Sequence, residues 1–307
     1  MESTTAPIET RSKVNTLPNL FGFYCELTKI RLSILVVFTT TVGFIMASQQ
    51  GVDWFRLLWT VVGTSACACA AAALNQVFER KRDAKMHRTQ SRPIPARHIG
   101  TAHAFIIGIL LSYVGVAVLS FGANIQAAGI ALLTILIYVL VYTPLKSITT
   151  LNTIVGALVG GLPPLIGWVA VSGGIGTGGL VLAGILFIWQ LPHFLALAWM
   201  YRDDYERGGF RMLPIIDKNG ELTARMSVIT SLCLVPLTLL MVIEGLSGIL
   251  FGIVGSILGV WLSCKAIVFW RNRDDNTARK LFVATIIYLP ILLVAMIIDH
   301  QILLWIA

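Results

Sequence analysis

The stretch AHAFIIGILLSYVGVAVLSF, residues 102–121, decides the fold because it contains no Asp, Glu, Lys or Arg. An α-helix rises about 1.5 Å per residue, so about 20 apolar residues cross the hydrocarbon core of a bilayer. A helix of a soluble domain needs a polar face toward water, and this stretch has none. It therefore predicts a membrane-spanning helix.

Similar stretches recur along the chain, which is 56% hydrophobic and only 12% charged. Soluble domains carry about 25% charged residues. The runs are long and do not alternate, which excludes a strand-rich barrel. We predict an all-α, polytopic membrane protein, with residues 1–32 as an N-terminal tail and interfacial helix and 33–307 as a single nine-helix domain. The predicted spans are 33–50, 56–78, 102–121, 125–143, 151–172, 180–200, 226–243, 248–270 and 281–305.

Basic residues fall on one side of these spans. Of the 23 lysines and arginines, all except Arg56 lie in the N-terminal segment or beside the connectors after spans two, four, six and eight. The positive-inside rule puts these segments in the cytoplasm and the C-terminus outside. The net charge of +8 then reflects topology and an anionic substrate, and we expect no nucleic-acid partner.

The first candidate site is NQVFERKRDAKMHRTQSRP, residues 75–93, at the end of span two. Asn75, Glu79 and Asp83 are spaced by four, which aligns their oxygens on one helix face. Such a row suits a hard cation such as Mg²⁺, and Arg88 and Arg92 would neutralise the remaining charge of a diphosphate. The alternative is a solvated helix end with ion pairs four residues apart.

Three further elements carry candidate residues. Lys146, in the connector after span four, is either a second diphosphate contact or an interfacial anchor. After span six, Asp204 is the preferred second-site acid, with Arg202 and Arg207 as further diphosphate-binding candidates. His193 lies within span six, where an ionisable residue is functional by default, although a packing role is the alternative.

Together these segments resemble the UbiA-type intramembrane prenyltransferases, and within them the protoheme IX farnesyltransferases, or heme O synthases. The resemblance rests on the ordered motifs NQVFERKRD (75–83), RTQSRP (88–93), YTPLK (142–146), PPLIGW (163–168), WQLPHF (189–194) and DYERGGFRMLP (204–214). Two positions depart from the general superfamily pattern. Glu79 stands in place of an Asp, and Gly208 stands where the second motif has another acid.

The resemblance implies nine helices around a central cavity, with Mg²⁺ held on farnesyl diphosphate by Asn75, Glu79 and Asp83. It implies farnesyl transfer to the vinyl group of heme B, with water addition, giving heme O for heme-copper oxidases. His193 would orient the heme or assist the water step. Expected partners are farnesyl diphosphate, heme B and membrane lipid, in a bacterial inner membrane.

Several alternatives remain open at this point. Heme A synthase is a candidate docking partner that the sequence does not test. A related prenyltransferase acting on a quinone or chlorin precursor would share the metal-binding residues. A transporter or heme-handling protein without chemistry would not need a row of carboxylates beside diphosphate-binding bases.

Overall fold

The computed structural model describes residues 20–306, and this part of the chain is helical with no β-strand. Nine of its helices are long and apolar enough to cross a membrane, which confirms the predicted class and number. These spans, numbered one to nine, are Ile30–Ala47, Trp54–Asp83, Thr101–Gly122, Ile125–Leu145, Asn152–Ser172, Thr177–Met200, Glu221–Ile243, Ile249–Asn272 and Asp275–Trp305. Residues 1–19 of the predicted N-terminal tail lie outside the described residues.

Several helices extend beyond their apolar runs. Span two was predicted to end at residue 78 but continues to Asp83, and span nine begins at Asp275 rather than at residue 281. Bilayer thickness sets the apolar length, whereas backbone hydrogen bonding continues a helix until a cap or breaker ends it. The whole stripe from Asn75 to Asp83 consequently lies on one continuous helix.

The spans pack in two groups, which meet directly where span five packs against span six. Spans two to five pack mainly in chain order, spans six to nine do likewise, and span nine returns to span six. Span one contacts spans two, five, six and nine. It approaches span five closely, because a Cβ on Gly167 would overlap the carbonyl oxygen of Thr40. The Thr40 hydroxyl also donates a hydrogen bond to the Pro163 carbonyl at 3.0 Å.

A short helix, Leu20–Leu27, lies in the segment predicted to be interfacial. Phe21 on this helix is exposed, whereas Leu27 is buried. The Gln76 amide of span two donates to the carbonyls of Glu26 and Leu27 at 2.8 and 2.9 Å. These bonds fasten the end of the short helix beside the stripe of span two.

The connectors after spans two, four and six meet on one side of the helices. The Arg211 N–H donates to the Lys146 carbonyl at 2.7 Å, and the Asn152 amide donates to the Arg211 carbonyl at 2.9 Å. Met86 packs with Phe210 in a small apolar cluster. The three connectors form a cap over the ends of the spans, called here the connector cap.

Candidate active site

The three residues of the predicted stripe are buried at the end of span two. The Lys146 ammonium donates to Glu79 Oε1 at 2.8 Å, and the Arg92 guanidinium donates to Asp83 Oδ2 at 2.8 Å. Both cations come from connectors, so tertiary folding brings them to the helix. The structure therefore joins Asn75, Glu79, Asp83, Arg92 and Lys146 in one polar cluster.

Lys29 completes this cluster and was missed as a site residue by the sequence argument. Its ammonium donates to Asn75 Oδ1 at 2.8 Å, while the Asn75 amide donates to the Thr143 hydroxyl at 3.0 Å. Lys29 has a left-handed backbone conformation, φ 48°, between the short helix and span one. No motif spacing links it to Asn75, since the turn and the Gln76 contacts bring them together.

The cluster contains an unsatisfied acceptor. Asp83 Oδ1 is buried and has no hydrogen-bond donor within residues 20–306. A buried acceptor left without a partner costs about 1–3 kcal/mol, and more when it is charged. The donor set of Asn75, Glu79 and Asp83 suits a hard divalent cation. It offers only two carboxylates, and no group of three His, Cys, Asp or Glu side chains converges in the described chain.

Electrostatics keep Lys146 charged. Burial alone would lower the pKa of its ammonium, but the Glu79 carboxylate and the nearby Tyr142 and Tyr138 raise it well above the ordinary value. The ammonium also lies 4.5 Å from the centre of the Tyr142 ring. Lys146 therefore provides a permanent positive charge beside Glu79 of the stripe.

The pKa of Lys29 is shifted in the opposite direction from that of Lys146. Burial, followed by the positive charges of Arg92 and Lys146, lowers the pKa of its ammonium to about 7, although Glu79 and Asp83 oppose the change. The side chains of Lys29, Arg92 and Lys146 thus gather around two carboxylates, and the two neighbouring cations favour the neutral form of Lys29. An added anion would offset this repulsion and favour the charged form of Lys29.

Asp204 holds the connector cap together and does not join the stripe. Its carboxylate accepts the backbone N–H groups of His87 at 2.8 Å and Arg88 at 3.1 Å. Arg207 donates to the same carboxylate at 2.7 Å. Burial raises the pKa of Asp204, but these three hydrogen bonds outweigh it and the pKa is lowered. Both carboxylate oxygens are occupied by these donors.

Packing around Gly208 leaves little room for the second acid that the general superfamily motif has at this position. A Cβ at this position would lie 3.0 Å from the Met86 side chain and 3.0 Å from the Phe210 ring. A longer acidic side chain would have to displace this packing. The apolar cluster of the connector cap occupies the space that a second carboxylate would need.

The other predicted arginines lie outside the polar cluster. Arg88 lies over the rings of Tyr201 and Tyr205, at 5.1 and 5.4 Å. Arg202 pairs with Asp275 at 2.6 Å, at the start of span nine. Arg207 bonds to Asp204, as described above. Arg88 and Arg207 line a shallow pocket on the connector cap, and Arg202 ties the cap to span nine.

A π-helical segment, Ile137–Tyr142, orients the end of span four. The wider turn precedes Pro144, which has no N–H to continue α-helical hydrogen bonding. The Thr143 hydroxyl donates to the Tyr138 carbonyl at 2.8 Å. Tyr138 and Tyr142 consequently line a membrane-embedded cavity, and Lys146 follows one turn later.

This cavity has a volume of about 280 Å³ and a mainly apolar lining. Spans one, two, four, five, six and nine contribute to its wall. Its few polar groups include Gln190 and His193, both from the predicted WQLPHF motif of span six. The polar cluster lies beside its tyrosine-lined end, because the Lys146 ammonium of the cluster contacts the ring of Tyr142, which lines the cavity.

Comparison with known proteins gives independent evidence on the family. Residues 36–289 match the model of the UbiA prenyltransferase family. The chain is 38% identical to the protoheme IX farnesyltransferase of Solibacter usitatus, over 90% of this chain and 98% of that protein. It is 43% identical to the enzyme of the same name from Opitutus terrae, over 91% and 95% of the two chains.

Solved structures show the same fold. A structure of digeranylgeranylglyceryl phosphate synthase matches with a TM-score of 0.77 at 20% identity, covering 91% of this chain and 98% of that one. A UbiA homologue from Archaeoglobus fulgidus, bound to GPP and Mg²⁺, matches with a TM-score of 0.61 at 10% identity, covering 91% and 99%. On its motifs, its fold and its sequence relatives, the chain belongs to the UbiA prenyltransferase family.

Proposed function

We propose that this prenyltransferase transfers the farnesyl group of farnesyl diphosphate to a vinyl group of heme B and adds water, which produces heme O. The observation that carries the proposal is a polar cluster containing Lys29, Arg92 and Lys146 beside the tyrosine-lined end of an apolar membrane cavity. The name shared by relatives that align with most of this chain supports heme B as the acceptor.

The polar cluster accounts for departure of diphosphate. Lys29, Arg92 and Lys146 are held in place before the reaction, so they stabilise negative charge as the bond between farnesyl C1 and the diphosphate oxygen breaks. Asn75, Glu79 and Asp83 would hold Mg²⁺, as suggested by the free Asp83 oxygen. Mg²⁺ supplies Lewis-acid neutralisation of the diphosphate oxygens when bound.

The cavity accounts for the fate of the farnesyl cation. Its apolar wall excludes water from the farnesyl chain, and Tyr138 and Tyr142 offer ring faces that stabilise a cation. The terminal vinyl carbon of heme forms the new bond to farnesyl C1. Water then captures the cation adjacent to the porphyrin ring and loses a proton. Arg88 in the connector cap is the candidate partner for a heme propionate.

The basic residues of the connectors indicate the side of the membrane from which farnesyl diphosphate would enter. The distribution of basic residues supports a bacterial inner membrane with the N-terminus and connector cap in the cytoplasm and the C-terminus outside. Farnesyl diphosphate would then approach from the cytoplasm, while heme B would enter through membrane lipid. Heme A synthase is the candidate partner that would receive the product by docking on this protein.

The test is incubation of the purified protein with heme B, farnesyl diphosphate and Mg²⁺, followed by mass analysis of the porphyrin. We expect a mass gain equal to one farnesyl group plus one hydroxyl group, and none when farnesyl diphosphate is omitted. Parallel reactions with a quinone precursor and a chlorin precursor test the related activities. Transfer to one of these acceptors, with heme B unchanged, would overturn the proposed acceptor. Absence of transfer to any acceptor, in a folded and monodisperse preparation, would reject the proposed reaction.

A further inference from the structure

His193 lies in span six with its ring between two aromatic side chains. The ring stacks on Phe282 of span nine at 4.7 Å and on Trp189 of its own span at 5.4 Å. One ring nitrogen, Nδ1, lies 2.8 Å from the Thr285 hydroxyl. The imidazole is therefore fixed in orientation by groups from two spans.

Thr285 also determines which ring nitrogen carries the proton. Its hydroxyl donates to the Phe282 carbonyl at 2.6 Å, so its single hydrogen is already committed. The oxygen can then only accept from His193, which requires a proton on Nδ1. Trp189 holds Thr285 in turn, because its indole N–H donates to the Thr285 carbonyl at 2.8 Å.

The second ring nitrogen, Nε2, carries a lone pair in this tautomer. His193 lines the apolar cavity, and Nε2 has no hydrogen-bond partner anywhere in the described range 20–306. A neutral imidazole that donates one N–H to a neighbouring group and leaves its other nitrogen free has the arrangement of a metal-ligating histidine.

We propose that His193 Nε2 is an axial ligand of the iron of the porphyrin substrate, and that Thr285 is the positioning residue that holds the required tautomer. The inference rests on the proposed function, which supplies heme B as the acceptor. Iron ligation by imidazole is a common way for proteins to hold heme. Here it would orient the substrate by its iron and leave the porphyrin edge free to present a vinyl group.

A role as proton acceptor in the water step fits the surroundings less well. Accepting a proton would create an imidazolium within the membrane. No carboxylate forms a hydrogen bond or ion pair with His193 in the part of the chain that the structure describes. An unpaired charge in this environment is strongly disfavoured. An iron ligand, in contrast, remains uncharged.

Optical and electron paramagnetic resonance spectra of the purified protein with ferric heme B test the ligand. We expect an imidazole-ligated spectrum in the wild type and its loss in His193→Ala, with restoration by free imidazole in His193→Gly. Thr285→Val should weaken heme binding by about 10–100-fold, and Thr285→Ser should retain it. His103→Ala removes an exposed histidine and is the control. A wild-type spectrum in folded His193→Ala would overturn the proposal.

Metal-free protoporphyrin IX has the same vinyl groups and separates ligation from proton transfer. The wild type should prefer heme B over the metal-free porphyrin, and His193→Ala should bring the ratio of the two rates toward one. Equal loss of both rates, with an unchanged heme spectrum, would instead make His193 a proton acceptor. If the wild type ligates heme through His193 but forms no farnesylated product, the proposed function fails while the ligand assignment stands.

Discussion

Replacing Lys146 by methionine should destabilise the protein strongly, because Glu79 would lose its direct cation. The two side chains meet at 2.8 Å and are only 13% and 6% exposed. Removing one member of a buried pair costs about 3–5 kcal/mol. A second route gives a similar value: protonating a glutamate of ordinary pKa, about 4.3, costs about 3.7 kcal/mol at pH 7. Denaturant unfolding in detergent micelles, followed by tryptophan fluorescence, would measure the loss.

The double variant Glu79→Gln/Lys146→Met separates stability from function. It should recover most of the lost stability, because neither buried charge remains, yet it should not transfer farnesyl. Arg202→Met is the matched control, since it breaks the exposed pair with Asp275 and should cost less than about 1 kcal/mol. Equal losses in Lys146→Met and Arg202→Met, or a double variant no more stable than Lys146→Met, would refute the reasoning.

Three further predictions test the site and the packing. Asp83→Asn should abolish turnover even in folded protein, and it should also destabilise the protein because it breaks the buried pair with Arg92. Asp53→Asn at the other end of span two should retain activity, and full activity in Asp83→Asn would contradict the metal assignment. The lowered pKa of Asp204 means that its stabilisation is present above the ordinary pKa of about 3.9 and is lost as pH falls below it. The hydrogen-exchange protection factors of the connector after span two, corrected for the intrinsic exchange rate at each pH, should therefore fall in acid, and they should already be low at neutral pH in Asp204→Asn. Gly167→Ala should lower the free energy of unfolding by more than about 1 kcal/mol, because its Cβ would overlap span one. Gly129→Ala, at a position with open space, should leave the free energy of unfolding unchanged or raise it. Equal effects of the two variants would exclude the close contact as the cause.

The nine spans could be predicted because membrane insertion depends on local composition. A run such as 102–121 needs no information about its neighbours, since its backbone hydrogen bonds are internal and its side chains suit lipid. The ends of the helices were predicted less accurately. Span two continues to Asp83 because charged side chains at its end find partners, and those partners lie elsewhere in the chain.

The stripe was also predictable, because four-residue spacing is a local property of a helix. Lys29 was not, since it reaches Asn75 only through the turn after the short helix. For Asp204, the sequence context predicts a second-site acid, and the structure adds that its oxygens accept backbone N–H groups of the connector cap. These contacts depend on how separate connectors approach one another.

The amino-acid sequence alone is enough to predict a nine-span helical membrane protein, basic residues concentrated in alternate connectors, and a row of oxygen-bearing side chains on span two. Hydrophobicity and helical periodicity are properties of a single segment, and the charge asymmetry follows from counting basic residues in each connector. Only the tertiary structure decided which cation meets which oxygen, that Arg88, Arg202 and Arg207 lie outside the cluster, and that Thr285 leaves Nε2 of His193 free. Pairing and tautomer depend on distances between residues far apart in the chain, which only the packed helices set.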